Sequence, residues 1–151
     1  MPTIPNGSPS VDVYKLNSPG QATAANDSTF VLDKVKRAGS VSLVTYTPAA
    51  DITGQNTNTR KFDLINKGQD GNGTTVIATL QFNSGINATD FDEKAITLGV
   101  AANLVVAAGD VLAWFSDAIL TGIADPGGLV KVEVTANTHS TAGLVRGFPA
   151  V

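Results

Sequence analysis

The sequence has no cysteine and one histidine, His139. Without cysteine, the chain has no disulfide, no thiolate metal site and no cysteine nucleophile. With one histidine, a zinc or other transition-metal site would lack its usual nitrogen ligands. We therefore expect no metal and no cofactor. Since small secreted domains are usually held together by disulfides, their absence favours folding inside a reducing cell.

Charge is also scarce. Charged residues make up 15% of the chain, against about 25% in an ordinary soluble protein. The net charge is −3, and the only basic cluster, Lys34, Lys36 and Arg37, contains too little charge to attract phosphates. We expect no nucleic-acid partner. The polar surface is instead supplied by Thr, Asn, Ser and Gln, which suit strands and turns.

The sequence shows neither a signal peptide nor a membrane span. Residues 1–10 lack the positive and apolar regions of a signal peptide. The longest apolar stretch, residues 95–115, is interrupted by polar residues and glycine and is too broken to cross a bilayer. We expect no membrane association.

From residue 29 onward, the chain shows the alternation and turn chemistry of short strands. The clearest is 74–82, where Val76, Ala78, Leu80 and Phe82 should share one face. The rival helix, at 95–108, contains Gly99 and no amphipathic stripe. The fold class is therefore all-β, a single β-sandwich or jelly-roll-like domain, with the jelly-roll and immunoglobulin-like topologies left open. The predicted strands are 30–35, 41–46, 60–66, 74–82, 94–98, 105–108, 111–115 and 129–135.

We predict three parts along the chain. Residues 1–27, rich in proline, form an extended N-terminal arm outside the core; 28–136 form the β-sandwich; and 137–151 form a C-terminal tail. The arm is either a disordered tail or a segment that docks on a neighbour. Its candidate contact residues are Val11, Val13, Tyr14 and Leu16.

No catalytic set emerges from the motifs. His139 lies in the polar tail, where nothing would hold it rigidly between a nucleophile and an acid. The glycine run at 68–73 is followed by a strand, whereas a phosphate loop needs a helix. Asp90, Asp92 and Glu93 share one loop, which we interpret as a solvated turn in which Asp92 or Glu93 pairs with Lys94. Calcium binding is the alternative.

Trp114 and Phe115 are adjacent on a predicted strand and must point to opposite faces. One of them should belong to the core. The other is a candidate interface residue, since aromatic side chains are favoured at interfaces.

Three blocks of the sequence, spread over roughly residues 30–135, resemble small virion proteins of tailed bacteriophages, the capsid decoration (cement) proteins. The first is 51–73, ending in LINKGQDG; the second is FDEKA at 91–95, followed by Leu98; the third is GDVL at 109–112 through Trp114, then GIADPGGLV at 122–130.

This resemblance implies a non-enzymatic virion structural protein, made in the host cytoplasm and located on the capsid surface. It implies that the chain binds the phage major capsid protein and stabilises the shell as a homotrimer on local three-fold axes. The capsid or protomer contacts would then come from Val11, Val13, Tyr14, Leu16, Trp114 and Phe115. Alternatives are a head fibre base, a tail protein, a carbohydrate-binding β-sandwich module or a carboxylate-based hydrolase.

Overall fold

The computed structural model describes residues 9–137, and nearly all of its regular structure is β-strand. A short 3-10 helix, Ala101–Leu104, lies between the seventh and eighth strands. The strands are β1 Val11–Ser18, β2 Ser28–Lys34, β3 Gly39–Pro48, β4 Thr59–Asn66, β5 Thr75–Gln81, β6 Lys94–Ala95, β7 Thr97–Leu98, β8 Val105–Val106, β9 Val111–Ile119 and β10 Gly128–Ala136. No helix in this part of the chain is long and apolar enough to cross a membrane.

The strands form two antiparallel sheets. Sheet I has the order β1-β10-β3-β6, with β8 also pairing with β3, and sheet II has the order β2-β9-β4-β5-β7. The chain folds as one long antiparallel hairpin, in which the paired strands are β1·β10, β2·β9, β3·β6 and β4·β5. This hairpin is rolled up so that successive pairs fall alternately into the two sheets. This is the jelly roll. The all-β prediction is confirmed, and the topology left open by the sequence is resolved.

The core between the sheets is centred on four aromatic rings. Tyr46 of sheet I lies with its ring centroid 4.8 Å from that of Phe62 and 5.9 Å from that of Trp114. Phe62 also packs 5.4 Å from Phe82. All four side chains are buried. Rings at these separations attract each other beyond their burial, so this cluster joins the two sheets.

The clearest predicted strand is present, but one of its side chains faces the other way. The β4–β5 register shifts between Leu64 and Ile65, which makes Ile77 the extra residue of a β-bulge. Ile77 and Ala78 are consequently both buried, while Val76 turns to the outer side and is only half-buried. Strict alternation therefore assigned Val76 to the wrong face.

The predicted boundary at residue 27 is wrong for residues 11–18, which form strand β1 of sheet I. This strand pairs with β10 along its whole length, from Val11 opposite Thr135 to Ser18 opposite Gly128. The side chain of Tyr14 enters the core. The strand escaped prediction because it is an edge strand closely bracketed by Pro9 and Pro19, and prolines just outside an edge strand are allowed. Of the predicted tail, only residue 137 lies within the described residues.

The directions of the strands define two ends of the sandwich. The loops 19–27, 49–58, 82–93 and 120–127 follow the ends of β1, β3, β5 and β9, and they meet at what we call the upper end. The loops 35–38 and 67–74 lie at the lower end, where the described chain also begins and ends.

Candidate docking site at the upper end

The six residues predicted as contacts do not form one surface. Tyr14 and Trp114 are buried in the core, and Leu16 packs against it. Because they are buried, Tyr14 and Trp114 cannot contact a partner at the surface of this fold. Of the aromatic pair, Trp114 is the core member.

The other three predicted contacts lie on opposite sides of the sandwich. Val11 and Val13, 48% and 46% exposed, point outward from sheet I. Phe115 is half-buried on the outer face of sheet II, beside Thr29 and Asp63 in the register. A contact role for Val11, Val13, Leu16 or Phe115 stays a prediction.

The upper end contains an open, mostly apolar recess of about 440 Å³, which we call the Phe91 groove. Its lining comes from chain segments that are far apart in the sequence: Ser18 at the end of β1, Pro48 at the end of β3, Phe91 in the loop after β5, and Pro126 and Leu129 around the start of β10. Sequence reasoning did not identify this site, because no local pattern shows that these segments converge.

Phe91 stands at the groove in an unusual conformation. Its φ is +56°, in the left-handed region, and the residue is 78% exposed. For a residue other than glycine, that region costs roughly 1–2 kcal/mol. Two backbone amides of the loop are held by hydrogen bonds: that of Phe91 donates to the carbonyl of Pro48 at 2.9 Å, and that of Asp90 donates to the side-chain Oδ1 of Asp51 at 2.8 Å. The aromatic ring is thus presented to solvent by a fixed backbone.

A second large apolar residue at the same end behaves in the same way. Leu120, in the loop after β9, has a φ of +58° and is 70% exposed. The turn around it is closed by a hydrogen bond from the amide of Gly122 to the carbonyl of Ile119 at 3.0 Å, and the amide of Thr121 makes a longer, weaker contact of 3.4 Å with Oδ1 of Asn58. Two exposed apolar side chains, each on a strained backbone, therefore mark this end of the molecule.

Below these loops, Arg60 projects inward from β4 and is fully buried. Its guanidinium donates to the carbonyl oxygens of Ala24, Asn26 and Ile123 at 2.7, 2.9 and 2.8 Å. It thereby joins the β1–β2 loop to the β9–β10 loop. Burial lowers the pKa of Arg60, and the nearby Asp125 carboxylate opposes that shift.

Asp125 holds the β9–β10 turn next to the groove. Its buried carboxylate accepts hydrogen bonds from Oγ of Ser116 at 2.8 Å and from the amide of Gly127 at 2.9 Å. The hydroxyl of Tyr46 donates to the carbonyl of Gly127 at 2.6 Å. Burial raises the pKa of Tyr46, with the charge of Asp125 adding to the effect, so this hydroxyl keeps its proton even above pH ~10, where a free tyrosine loses it. The carboxylate of Asp125 and the hydroxyls of Ser116 and Tyr46 hold the turn in place through these hydrogen bonds within the protein.

Three carboxylates belong to the Phe91 loop or are hydrogen-bonded to it. Asp51, Asp90 and Asp92 are exposed, and none of them forms an ion pair within the described part of the chain. Glu93 pairs with Lys131 at 3.2 Å rather than with the expected Lys94. Among residues 9–137, no group of three or more acidic or histidine side chains is arranged to hold a metal ion. His139 lies outside the described residues.

No family model and no curated protein matches this chain. A solved structure titled "Desmodium yellow mottle tymovirus" aligns with 93% of this chain and 88% of its own, at 11% identity and a TM-score of 0.31. Similarity at this level carries no argument, and the assignment of the jelly roll rests on the strand order.

Proposed function

We propose that this chain is a capsid decoration protein of a tailed bacteriophage, a non-enzymatic virion protein that binds the outside of the shell and stabilises it. The observation that carries the proposal is the Phe91 groove, where an exposed aromatic side chain stands on a strained backbone beside an apolar recess. An exposed phenylalanine adds nothing to the core, and strained residues held by their surroundings cluster at functional sites. The groove is therefore best explained as a preformed docking surface.

The resemblance to decoration proteins supports the same surface. Two of its blocks meet at the groove: FDEKA at 91–95 contributes Phe91, and GIADPGGLV at 122–130 contributes Pro126, Gly128 and Leu129. The jelly roll agrees with a role in virions, but it also occurs in lectins and cupins. Since a fold hosts many functions, the proposal rests on the groove.

Stabilisation of the shell would follow from mass action. A protein that binds only the expanded shell lowers the free energy of that state by an amount that grows with its concentration above the dissociation constant. In this proposal the chain binds as a homotrimer, and the major capsid protein is its partner.

The test uses the full-length chain and expanded capsids that lack it. Light scattering gives the mass of the purified chain, and co-sedimentation gives its affinity for the shells. Phe91→Ser should weaken binding by about 30-fold, corresponding to the ~2 kcal/mol of an interface hot spot. Val100→Ser is the matched control, because Val100 is also largely exposed but lies outside the upper-end loops, between β7 and the 3-10 helix. Circular dichroism checks that both variants fold.

If the unsubstituted chain fails to pellet with the shells, the proposal is wrong. The exposed aromatic ring also suits a carbohydrate-binding module, the second candidate. A glycan array separates the two candidates: binding to glycans that is abolished by Phe91→Ser, without binding to shells, would establish the second.

A further inference from the structure

We propose that the surface recognised by the Phe91 groove is cationic: an apolar projection of a protein flanked by lysine or arginine side chains. This inference rests on the proposed function for the identity of the partner, the capsid shell, and adds the chemistry of its contact surface. It comes from the charges that surround the groove.

The upper end is acidic where it meets solvent. Asp90 and Asp92 flank Phe91 in the chain, and Asp51 is joined to the same loop by its hydrogen bond with the amide of Asp90. These three carboxylates are exposed and have no cationic partner within the described residues. Asp27, at the end of the β1–β2 loop, adds another exposed carboxylate.

Most of the cations near this end are engaged or partly covered. Arg60 is buried and donates to backbone carbonyls. Lys131 lies between Glu93 and Glu133, at 3.2 and 3.9 Å. Lys94, at the start of β6 directly after the Phe91 loop, is half-buried. Lys15, opposite Lys131 in the register, is exposed and forms no ion pair within the described residues. These two lysines face four exposed carboxylates without an ion-pair partner, those of Asp27, Asp51, Asp90 and Asp92, so negative charge remains in excess at this end.

Basic side chains are found instead toward the lower end. Lys34, Lys36 and Arg37 lie at the end of β2 and in the loop that follows it. Strands of seven to ten residues separate the two ends, which at about 3.3 Å per residue is roughly 23–33 Å. Charges are screened beyond about 8 Å at physiological salt. The negative potential of the acidic rim is therefore not cancelled, at a partner bound there, by the basic side chains of the lower end.

The combination of an apolar groove and an acidic rim selects the class of partner. Nucleic acid would be repelled by the carboxylates, and a neutral glycan would gain nothing from them. A protein surface that offers an apolar side chain among basic ones would bury Phe91 and neutralise the rim. Complementary charge of this kind mainly raises the association rate and its sensitivity to salt.

The experiment compares two double variants of the full-length chain that remove the same charge from different ends. Asp90→Asn/Asp92→Asn removes two carboxylates from the rim, and Asp33→Asn/Asp70→Asn removes two exposed carboxylates near the lower end. The dissociation constant for expanded shells is measured at 50 and 300 mM NaCl. We expect the unsubstituted chain to bind more weakly at high salt. The rim variant should bind about tenfold more weakly at low salt, with a shallower dependence on salt.

The outcomes separate the two proposals. Shell binding that does not depend on salt, or that falls equally in both double variants, would overturn the cationic partner while leaving the decoration role intact. If the unsubstituted chain does not bind shells at all, the decoration role fails, and the cationic partner fails with it. Weaker binding at low salt together with a shallower salt dependence, in the rim variant alone, would support both.

Discussion

Arg60→Ala should be among the most destabilising single substitutions in this protein. The guanidinium donates to three backbone carbonyls within 2.9 Å, and the whole residue is buried. Hydrogen bonds to charged groups contribute roughly 1.5–3 kcal/mol each, and an unsatisfied buried acceptor costs about 1–3 kcal/mol. The carbonyls are only partly buried, so we take the low end for each and expect a loss of about 3–5 kcal/mol. Total stabilities are about 5–15 kcal/mol.

The assay is urea unfolding followed by the fluorescence of the single tryptophan, Trp114, which is buried among Tyr46 and Phe62. The urea concentration at the midpoint of unfolding should fall, with little change in the slope of the unfolding free energy against urea concentration. Arg60→Lys should recover only a small part of the loss, because an ammonium group cannot span carbonyls that lie on two different loops.

The matched control is Arg37→Ala. Arg37 is an exposed arginine paired with Asp12 at 2.6 Å, and exposed pairs contribute little. The unfolding midpoint of Arg37→Ala should remain close to that of the unsubstituted chain. Equal midpoints for Arg60→Ala and Arg37→Ala would refute the reasoning, since the backbone contacts of Arg60 would then contribute nothing.

Three further predictions concern single side chains. Because burial raises the pKa of Tyr46, the folded chain keeps this proton above pH ~10 while the unfolded chain loses it. Stability should therefore be unaffected by this group below pH ~10 and should fall above it by up to ~1.4 kcal/mol per pH unit. Urea midpoints measured from pH 9 to 11 test this, and an identical slope in Tyr46→Phe would contradict it. Phe91→Gly should raise the unfolding midpoint, because glycine adopts positive φ without strain; a lower midpoint would mean that the ring stabilises the fold. Trp114→Ala should lose roughly 3–5 kcal/mol, whereas Trp114→Phe should lose far less, because phenylalanine keeps an aromatic ring packed against Tyr46 and Phe62. Thermal unfolding by circular dichroism measures both, and equal losses would show that a ring at this position contributes nothing to the packing of the cluster.

Much of the fold was accessible from local sequence pattern. Alternation placed β3, β4, β5, β9 and β10 close to their observed positions, because one face of each strand is buried and the other is not. β1 was misjudged because valines occupy its outward face and prolines bracket it, so its pattern resembled that of an irregular arm. The order of the strands depends on pairings between distant segments, which periodicity does not encode.

The candidate site was much less predictable. The sequence showed the carboxylates of residues 90–93, but the left-handed backbone of Phe91 has no signature in a residue type that normally avoids it. Arg60 could have been noticed, because it occupies an inward position in the same alternation as Phe62 and Leu64. Its carbonyl acceptors, however, come from loops more than thirty residues away in the chain.

The pairing of the first strand with the last has a consequence for the order of folding. Sheet I contains β1 and β3 from the first third of the chain, but β10 must lie between them. During synthesis neither strand has its main partner until residues 128–136 have left the ribosome. Closing such long loops is slow, and it is also the step that brings Ser18, Pro48 and Leu129 together around Phe91. A chain interrupted before β10 lacks Gly128 and Leu129, so the groove is complete only when the whole fold has formed.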